Sequence, residues 1–238
     1  MNARAHRMRI LLSIMLAMLV SLSLTHAVAQ PVVVELFTSQ GCSSCPPAEA
    51  LLGELARQTN IVALAYHVDY WDDLGWKDRF AIPAAVERQR GYARRLPRSG
   101  IFTPHAVVSG DTSLVGSNRS AITRAIAEKR DALAIVLSTT GTELTIALPE
   151  RWNEPMDINV VSYLSEATTK IGRGENAHRS LREFNIVRSF RRLSRWDGRP
   201  QQLKVSLASL PGDATAVAVL LQRPNQGAIA GASQLSLR

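Results

Sequence analysis

Apolar and polar positions follow different patterns in the two halves of the chain. In the N-terminal half, the apolar and largely β-branched run from Val32 to Thr38 is typical of a strand that is buried on both faces. Pro46 and Pro47 then open a segment rich in alanine, leucine and glutamate, which we predict to be a helix that ends near Gln58. Ile61 to His67 has the strand pattern again, so the chain begins as strand, helix, strand.

A second helix, a hairpin and a third helix follow in this half. The arginine-rich segment from Phe80 to Leu96 has an amphipathic pattern, with Pro83 in its first turn. The turn residues Gly110-Asp111 predict a hairpin, and Ser117 or Asn118 is a typical helix cap. The predicted bounds are Ala106 to Ser109 and Thr112 to Val115 for the two strands, and Lys129 for the end of the last helix.

From about Asp131 the pattern changes to many short strands separated by turn residues, which is typical of a small antiparallel sandwich. The polar segment from Ser165 to Glu183 is predicted to be a long loop. The strand candidates are Leu133 to Leu137, Leu144 to Leu148, Asp157 to Tyr163, Ile186 to Trp196, Gln202 to Leu207, Ala216 to Gln222 and Ala228 to Leu235. We therefore predict an α/β domain at residues 30–131 and a β-rich, sandwich-like C-terminal domain at residues 132–238.

Residues 1–29 have the pattern of a cleaved signal peptide. Its three parts are the arginines Arg4, Arg7 and Arg9, the apolar run Ile10 to Leu24, and the cleavage site Ala27-Val28-Ala29. The apolar run is shorter than the roughly 20 residues that span a bilayer, and no later stretch is as apolar. We therefore expect a periplasmic or secreted protein with no membrane span after cleavage.

The formal net charge of +8 does not indicate a nucleic-acid partner. Arginines are concentrated at residues 88–98 and 173–199, without the interleaved aromatic residues of a base-stacking surface. An exported protein also rarely meets nucleic acid. We expect these arginines to lie on solvated helix faces and loops.

The only two cysteines of the chain, Cys42 and Cys45, form a CxxC motif between the first strand and the first helix. A thiolate at a helix N-terminus faces unpaired N–H groups and the positive end of the helix dipole, which lower a thiol pKa from about 8.5 to roughly 3.5–7.5. A structural disulfide is the alternative, but closing so short a loop contributes only about 2 kcal/mol. This placement favours redox or metal chemistry over a structural bridge.

Topology brings three segments to one edge of the predicted sheet. The loops after Thr38 and His67 follow parallel strands, and the loop before Ala106 enters an antiparallel one. The CxxC turn, the loop from His67 to Trp76 and the segment from Ile101 to Pro104 should then meet. A redox role requires both sulfurs to be reachable from solvent there. Either sulfur sealed inside the core, or the pair on a flexible segment remote from Pro104, would exclude it.

The CxxC turn, the order of elements and the Thr103-Pro104 pair before the third strand resemble the thioredoxin superfamily, over about Val32 to Lys129. More narrowly, the segments Glu35 to Ala48 and His67 to Trp71 are similar to an exported bacterial family catalogued as domain of unknown function 1223. This resemblance spans most of the chain after the leader. It implies a thioredoxin-like fold (βαβαββα) outside the cytoplasm and brings no established reaction.

The superfamily resemblance implies roles for four catalytic candidates. Cys42 matches the attacking thiol and Cys45 the resolving thiol. Pro104 matches a proline with a cis peptide bond that exposes backbone to a substrate, and the alternative is an ordinary trans proline. Glu35 is a candidate proton acceptor for Cys45, or equally an edge residue or a salt-bridge partner. In a departure from the superfamily, Gly41 stands where an aromatic residue commonly precedes the first cysteine.

Two prolines after the motif are a second departure. Pro46 and Pro47 remove early backbone donors. The helix is therefore expected to begin near Ser44 or Cys45, which changes how many N–H groups face Cys42.

His67, Trp71 and Thr103 are the substrate-binding candidates. The tryptophan can wall a substrate groove, and the histidine can tune the thiolate or bind metal. The alternative is that the aromatic residues fold the long loop down as a lid and His67 is a satisfied strand-end residue. Trp76 fits this second interpretation better, and His105 poses the same question as His67.

We predict a periplasmic thiol–disulfide oxidoreductase that acts on protein or small-molecule thiols and disulfides through a mixed disulfide. It would need no cofactor besides the cysteine pair, and the sequence does not fix the redox direction. One alternative is a copper or zinc module that uses the sulfurs with His67 or His105. The other is a non-catalytic thioredoxin-like binding protein whose β-rich half engages a partner.

Overall fold

The fold is described from a computed structural model, which describes residues 31–97, 100–128 and 133–237. Its helices are α1 (Pro46–Leu55), α2 (Pro83–Arg95) and α3 (Arg119–Ala127), with short 3-10 helices at Asp72–Leu74 and Leu207–Ser209. Its strands are β1 (Val32–Thr38), β2 (Ile61–His67), β3 (His105–Val108), β4 (Thr112–Val115), β5 (Val136–Thr140), β6 (Glu143–Leu148), β7 (Met156–Lys170), β8 (Ser180–Trp196), β9 (Gln201–Ser206), β10 (Ala216–Gln222) and β11 (Ile229–Ser236).

The predicted leader lies outside the described residues. Within the part of the chain that is described, no helix is both long and apolar enough to cross a bilayer.

The elements predicted for the N-terminal half are confirmed within the described residues. Helix α1 has two prolines in its first turn, and α2 begins at Pro83, where the missing N–H is not needed. The side chain of Asn118 caps α3 by accepting a hydrogen bond from the backbone N–H of Ala121 at 3.1 Å. Gly110 and Ser109 both have positive φ in the β3–β4 turn. The predicted end of α3 at Lys129 lies outside the described residues.

Strands β1 and β2 are parallel neighbours in the middle of the sheet, and their side chains alternate between its two faces. On one face, Val34 and Leu36 pack with Leu51 and Leu52 of α1. On the other face, Phe37 packs in a second cluster that includes α2. Helices α1 and α2 therefore lie on opposite sides of the same two strands.

The C-terminal half does not form a separate sandwich. Among the described residues, eight strands form one sheet in the order β11-β10-β7-β8-β2-β1-β3-β4, so the C-terminal strands continue the N-terminal sheet. The remaining strands form a three-stranded sheet in the order β5-β6-β9. Apolar side chains of β6 share a buried cluster with those of β7 and β10, which gives a two-layered region at one end of the sheet. The protein is thus a mixed α/β fold with few helices.

The prediction of a long loop from Ser165 to Glu183 is wrong. Strand β7 runs to Lys170 and β8 begins at Ser180, and they pair antiparallel through this region. Only residues 171–179 form the turn between them, which we call the β7–β8 turn. The prediction failed because this end of the hairpin is held by backbone pairing and polar contacts, such as the exposed Glu166–Arg182 ion pair, and shows no apolar periodicity.

The two halves of the chain meet where β8 lies beside β2 and under α1. The side-chain amide of Asn185 donates to the backbone carbonyl of Ala63 at 2.9 Å, next to the parallel pair Ala65 and Ile186. Gly53 of α1 faces the ring of Phe184 on β8. The CxxC helix is therefore held against the C-terminal half.

A side chain at Gly53 should break this contact. An added Cβ would lie 2.4 Å from two ring carbons of Phe184, so Gly53→Ala should lower the free energy of unfolding by roughly 1–3 kcal/mol. Alanine at a freely exposed helix position would instead raise it by about 1 kcal/mol. Chemical denaturation measures the change, and adding Phe184→Leu should recover part of the loss. A more stable Gly53→Ala protein would contradict this packing.

Candidate functional site

Cys42 and Cys45 form a disulfide at the junction of β1 and α1, with their Cα atoms 5.5 Å apart. Cys45 is the N-cap of α1, which confirms the predicted start of the helix. The backbone N–H groups of Ala48 and Glu49 donate to the Cys45 carbonyl at 2.9 and 3.1 Å. Because the two prolines between them bring no N–H group, the sulfurs face fewer backbone donors than at an ordinary helix N-terminus.

The three segments that the topology was expected to bring together do meet. Trp71 in the loop after β2 donates its indole N–H to the hydroxyl of Thr103 at 2.9 Å. Trp71 also lies against Gly41, where an added Cβ would be 3.0 Å from the Cβ of the tryptophan. The Thr103–Pro104 peptide bond is cis, as expected. The glycine before the first cysteine therefore leaves room for an aromatic side chain that comes from another loop.

The expectation that the sulfurs are reachable from solvent is wrong. Cys42 is 0% exposed and Cys45 is 1% exposed. The β7–β8 turn lies over the motif: Asn176 donates its side-chain N–H groups to the carbonyls of Gln40 and Cys42, both at 3.0 Å. Both cysteines are therefore buried, although neither belongs to the three apolar clusters found among the described residues. The polar contacts of the β7–β8 turn cover the pair, so this closed arrangement excludes a redox role unless the turn opens.

Trp76 ties the loop after β2 to this cover. Its indole N–H donates to the side-chain oxygen of Gln40 at 2.9 Å. A Cβ at Gly174 of the β7–β8 turn would lie 3.2 Å from the Cβ of Trp76. These contacts fit the interpretation of Trp76 as part of a lid.

A cluster of titratable side chains lies under the motif, and we call it the His67 cluster: His67, Asp78, Glu49 and Glu183. His67 is at the end of β2, on the face that carries α1. Its Nδ1 is 2.7 Å from Asp78 Oδ2, and its Nε2 is 3.8 Å from Glu49 Oε1 and 3.9 Å from Glu183 Oε1. Neither oxygen of Glu49, nor Nε2 of His67, has a hydrogen-bond partner among the described residues.

Burial and mutual charge set the protonation of this cluster. Burial raises the pKa of Glu49 to about 7, against the opposing charge of His67. Burial alone would lower the pKa of His67, but the charge and hydrogen bond of Asp78 outweigh it and raise that pKa to about 9. Burial likewise raises the pKa of Glu183. At neutral pH His67 is therefore an imidazolium, and Glu49 exchanges a proton near pH 7.

A cavity of about 400 Å³ lies beside this cluster, between α1 and β8. Its walls include Thr38, Cys45, Glu49, Glu183 and Phe184. Of the two cysteines, only Cys45 lines it. One cysteine of the disulfide and two buried glutamates therefore line the same cavity.

Glu35 does not meet the cysteines. It lies on the α2 face, where its carboxylate accepts hydrogen bonds from the Arg88 guanidinium and from the Tyr92 hydroxyl. This arrangement corresponds to the salt-bridge alternative that the sequence left open. Alternation explains the placement, since Glu35 has the parity of Phe37, whereas Thr38 has the opposite parity and lines the cavity.

His105 is a core histidine on the same face as Glu35. Its ring stacks on Phe37 at a centroid distance of 5.5 Å and bonds the Ser113 hydroxyl at 3.0 Å. Burial lowers the pKa of His105 to about 4, so the ring is neutral at physiological pH. Within the described ranges, no group of three or more His, Cys, Asp or Glu residues could hold a metal ion.

Sequence reasoning missed several residues of the site. Glu49 follows Cys45 by four residues in a helix, a spacing that places both side chains on one face and could have identified it. Glu183 and Asn176 lie in the segment that was predicted to be a loop. No sequence signal connected those two residues with the cysteines.

Comparisons with known proteins agree with the predicted family. The family described as "Protein of unknown function (DUF1223)" matches residues 33–222. The chain is similar to a protein of Agrobacterium tumefaciens of known crystal structure, with 33% identity and a TM-score of 0.78, over 88% of this chain and 96% of that one. It shares its fold with HBP35 of Porphyromonas gingivalis, with 15% identity and a TM-score of 0.58, over 88% of this chain and 76% of that one. No curated protein matches the chain.

The His67 cluster should make the protein less stable as the pH rises. The folded state holds protons on Glu49 and His67 more tightly than the unfolded chain does. The contribution of His67 is fully present below its ordinary pKa of 6.5 and is lost as the pH rises through about 9. The free energy of unfolding from urea denaturation should therefore fall by roughly 3–4 kcal/mol between pH 6 and pH 9, most of it from His67 and about 1 kcal/mol from Glu49.

His67→Gln should remove most of this dependence and lower the stability at pH 6. His178→Asn changes an exposed histidine and serves as the matched control. A wild-type stability that does not change between pH 6 and pH 9 would contradict the charge assignment.

Proposed function

Because this chain belongs to the DUF1223 family, whose description names no activity, we propose its function from the site itself: it is an exported thiol–disulfide oxidoreductase with a thioredoxin-like N-terminal region. The placement of the disulfide supports this proposal above all. It closes a loop too short to stabilise the fold by more than about 2 kcal/mol. It also lies between a strand and a helix, beside a cavity with unpartnered titratable groups.

The proposed chemistry is a two-step exchange. When the pair is reduced, the Cys42 thiolate attacks a substrate disulfide, a mixed disulfide forms, and one substrate sulfur leaves as a thiolate. The Cys45 thiolate then attacks the sulfur of Cys42, closes the disulfide and releases the second substrate thiolate. Two electrons pass from the cysteine pair to the substrate. The reverse sequence oxidises a substrate dithiol, and the relative potentials of pair and substrate set the direction.

Three other residues have proposed roles in this exchange. Trp71 donates a hydrogen bond to Thr103 and lies against Gly41, beside the first cysteine. Thr103 precedes the cis proline Pro104. We assign Trp71, Thr103 and Pro104 to contact with the substrate. His67 keeps the cavity carboxyl groups charged and positioned, because it is the cation that they share.

Exchange with a large substrate requires the β7–β8 turn to move, because both sulfurs are covered. The cover bonds the CxxC turn mainly through the two hydrogen bonds of Asn176 and one from the Ser43 N–H to Glu175, at 3.1 Å. Each such bond contributes only about 0.5–1.5 kcal/mol net. Opening the turn therefore costs far less than unfolding the domain.

Loosening this cover should speed reduction of the disulfide. Asn176→Ala removes the two hydrogen bonds to the CxxC turn and a third, within the β7–β8 turn, from Arg179. A loss of about 1 kcal/mol in the closed state raises the open population roughly fivefold. The rate of reduction by dithiothreitol, followed by alkylation and mass spectrometry, should rise by that factor. Asn153→Ala, at an exposed position away from the turn, is the control. Equal rates in all three proteins would show that the turn does not limit access.

Catalysis itself should depend on both sulfurs. Cys42→Ser should abolish reduction or oxidation of a peptide disulfide, and Cys45→Ser should accumulate a mixed disulfide with a protein substrate because its resolving thiol is missing. A Cys42→Ser protein with undiminished exchange activity would refute the proposal.

A second candidate function follows from the burial of both sulfurs. In this alternative the protein is a non-catalytic binding protein whose disulfide is inert. A reduction potential below about −300 mV, with no reduction by dithiothreitol short of unfolding, would favour it. A potential between about −120 and −270 mV would place the pair among the catalytic ones.

A further inference from the structure

We infer that the cavity beside Cys45 binds a cationic group, and that the preferred small-molecule partners are short thiols that carry an amine. The cation site stands on the structure of the cavity alone. Only the preference for amine-bearing thiols rests on the proposed function. The cation site and the thiol preference can therefore be refuted separately.

The charges around the cavity leave room for a cation. Three buried carboxyl groups, Glu49, Asp78 and Glu183, share a single buried cation, His67. Asp78 takes the closest contact with that cation, at 2.7 Å, and leaves the two glutamates at 3.8 and 3.9 Å. When all three acids are ionised, two negative charges remain unbalanced. A buried charge without a partner is costly, so a bound cation would be stabilised there.

The hydrogen bonds of the cluster show where that cation would bind. Glu183 already accepts from the Gln40 amide and from the Thr169 hydroxyl, at 2.9 and 3.0 Å. Neither oxygen of Glu49 has a hydrogen-bond partner of normal geometry among the described residues, although Glu49 is only 8% exposed and lines the cavity. Burial raises the pKa of Glu49, and the neighbouring Thr38 hydroxyl lowers it by a smaller amount. The two oxygens of Glu49 are acceptors that need donors. An ammonium group has three donors and no acceptor, which matches them.

Two of the three charged residues at the mouth of the cavity, Glu54 and Arg182, are paired with neighbours outside it, and Arg57 is a further cation there. Glu54 is held by Arg119 through two hydrogen bonds of 2.6 and 2.7 Å. Arg182 is held by Glu166 in the same way, at 2.6 and 3.0 Å. Arg57 lies over the ring of Phe184. The unbalanced negative charge is therefore deep in the cavity, and the apolar ring near its mouth can contact an alkyl chain.

The position of Cys45 limits the substrate to a short molecule. Cys45 and Glu49 are one helical turn apart, with about 5–6 Å between their Cβ atoms. A thiol with an amine two carbons away can place its nitrogen at Glu49 and its sulfur at the disulfide. This cavity route differs from the exchange proposed for large substrates, which proceeds through a mixed disulfide on Cys42, because of the two cysteines only Cys45 lines the cavity. The thiolate attacks Cys45, the Cys42–Cys45 bond breaks, and the electron pair stays on Cys42. A second aminothiol attacks the mixed disulfide, releases the external disulfide and leaves both cysteines reduced.

Three thiols of similar size test the preference. Cysteamine is a cation, 2-mercaptoethanol is neutral and mercaptoacetate is an anion at pH 8. The rate of reduction of the wild-type disulfide by each is divided by the rate for a linear peptide disulfide, which removes differences in intrinsic reactivity. Cysteamine should exceed 2-mercaptoethanol by roughly tenfold, and mercaptoacetate should be slowest.

Variants show whether Glu49 causes this preference. Glu49→Gln should reduce the ratio of the corrected cysteamine rate to the corrected 2-mercaptoethanol rate to about one. Glu49→Asp should retain part of the preference for cysteamine. Glu143→Gln removes an exposed carboxylate in the three-stranded sheet and should leave the preference unchanged. Equal corrected rates for the three thiols with the wild-type protein would overturn the inferred preference.

The cation site is tested without any redox reaction. Isothermal titration of the oxidised protein with n-propylamine should show binding that n-propanol does not show and that Glu49→Gln abolishes. Affinity should rise roughly tenfold from pH 6 to pH 8, because the carboxyl of Glu49, with a pKa of about 7, must lose its proton to pair with the ammonium. His67 stays protonated over this range, and Asp78, whose pKa is lowered by His67 despite burial, stays ionised. Glu183 faces the same cavity, and because burial raises its pKa too, its ionisation acts in the same direction as that of Glu49.

The two experiments separate the two proposals. If no thiol reduces the pair but propylamine binds, the proposed oxidoreductase function fails and the cation site stands. If the thiols reduce the pair without preference and propylamine does not bind, the cation site fails and the redox function stands.

Discussion

The alternation of side chains along β1 and β2 decides which polar groups meet the disulfide. Both strands are buried on both faces, so each polar residue in them must find partners on one face or the other. Thr38 and His67 end their strands on the α1 face, where the cysteines lie. Glu35 and His105 lie on the α2 face, where Arg88, Tyr92 and Ser113 satisfy them. The sheet therefore separates a satisfied polar cluster from an unsatisfied one, and only the unsatisfied one adjoins the sulfurs.

The two clusters differ in what they do for the fold. Glu35 and Arg88 form a direct ion pair, and Tyr92 and Gln222 add further hydrogen bonds around it. Such a network fixes the position of α2 on the sheet. In the His67 cluster the glutamates lie 3.8 and 3.9 Å from their cation, and the carboxyl of Glu49 has no hydrogen-bond partner of normal geometry in the part of the chain that the structure describes. Burying such a carboxyl group lowers the stability of the fold. Its presence beside Cys45 is better explained by binding or proton transfer, since strongly shifted pKa values are concentrated at functional sites.

The N-terminal half was predictable because its elements carry local signals. Paired prolines, an Asn cap and continuous apolar runs fix the helices and strands there, and topology then brings Trp71 and Thr103 together. The C-terminal half was not predictable to the same degree. Strand β8 joins the N-terminal sheet next to β2, a pairing across more than a hundred residues that leaves no periodic trace in the sequence. The prediction that the sulfurs are reachable from solvent was wrong for the same reason, because the residues that cover Cys42 belong to the β7–β8 hairpin.

One hairpin thus controls both the cavity and the cover. Strand β8 supplies Glu183 to the cavity wall, and the turn before it supplies Asn176 to the carbonyl of Cys42. Gln40 connects the two, because its amide donates to Glu183 while its carbonyl accepts from Asn176. A ligand that binds Glu183 therefore changes the hydrogen bonding of Gln40, and Gln40 also bonds Asn176 of the β7–β8 turn. By linkage, any ligand whose affinity differs between the covered and uncovered states must shift the equilibrium between them. The shared contact at Gln40 makes cavity occupancy and exposure of the disulfide properties of one structural unit.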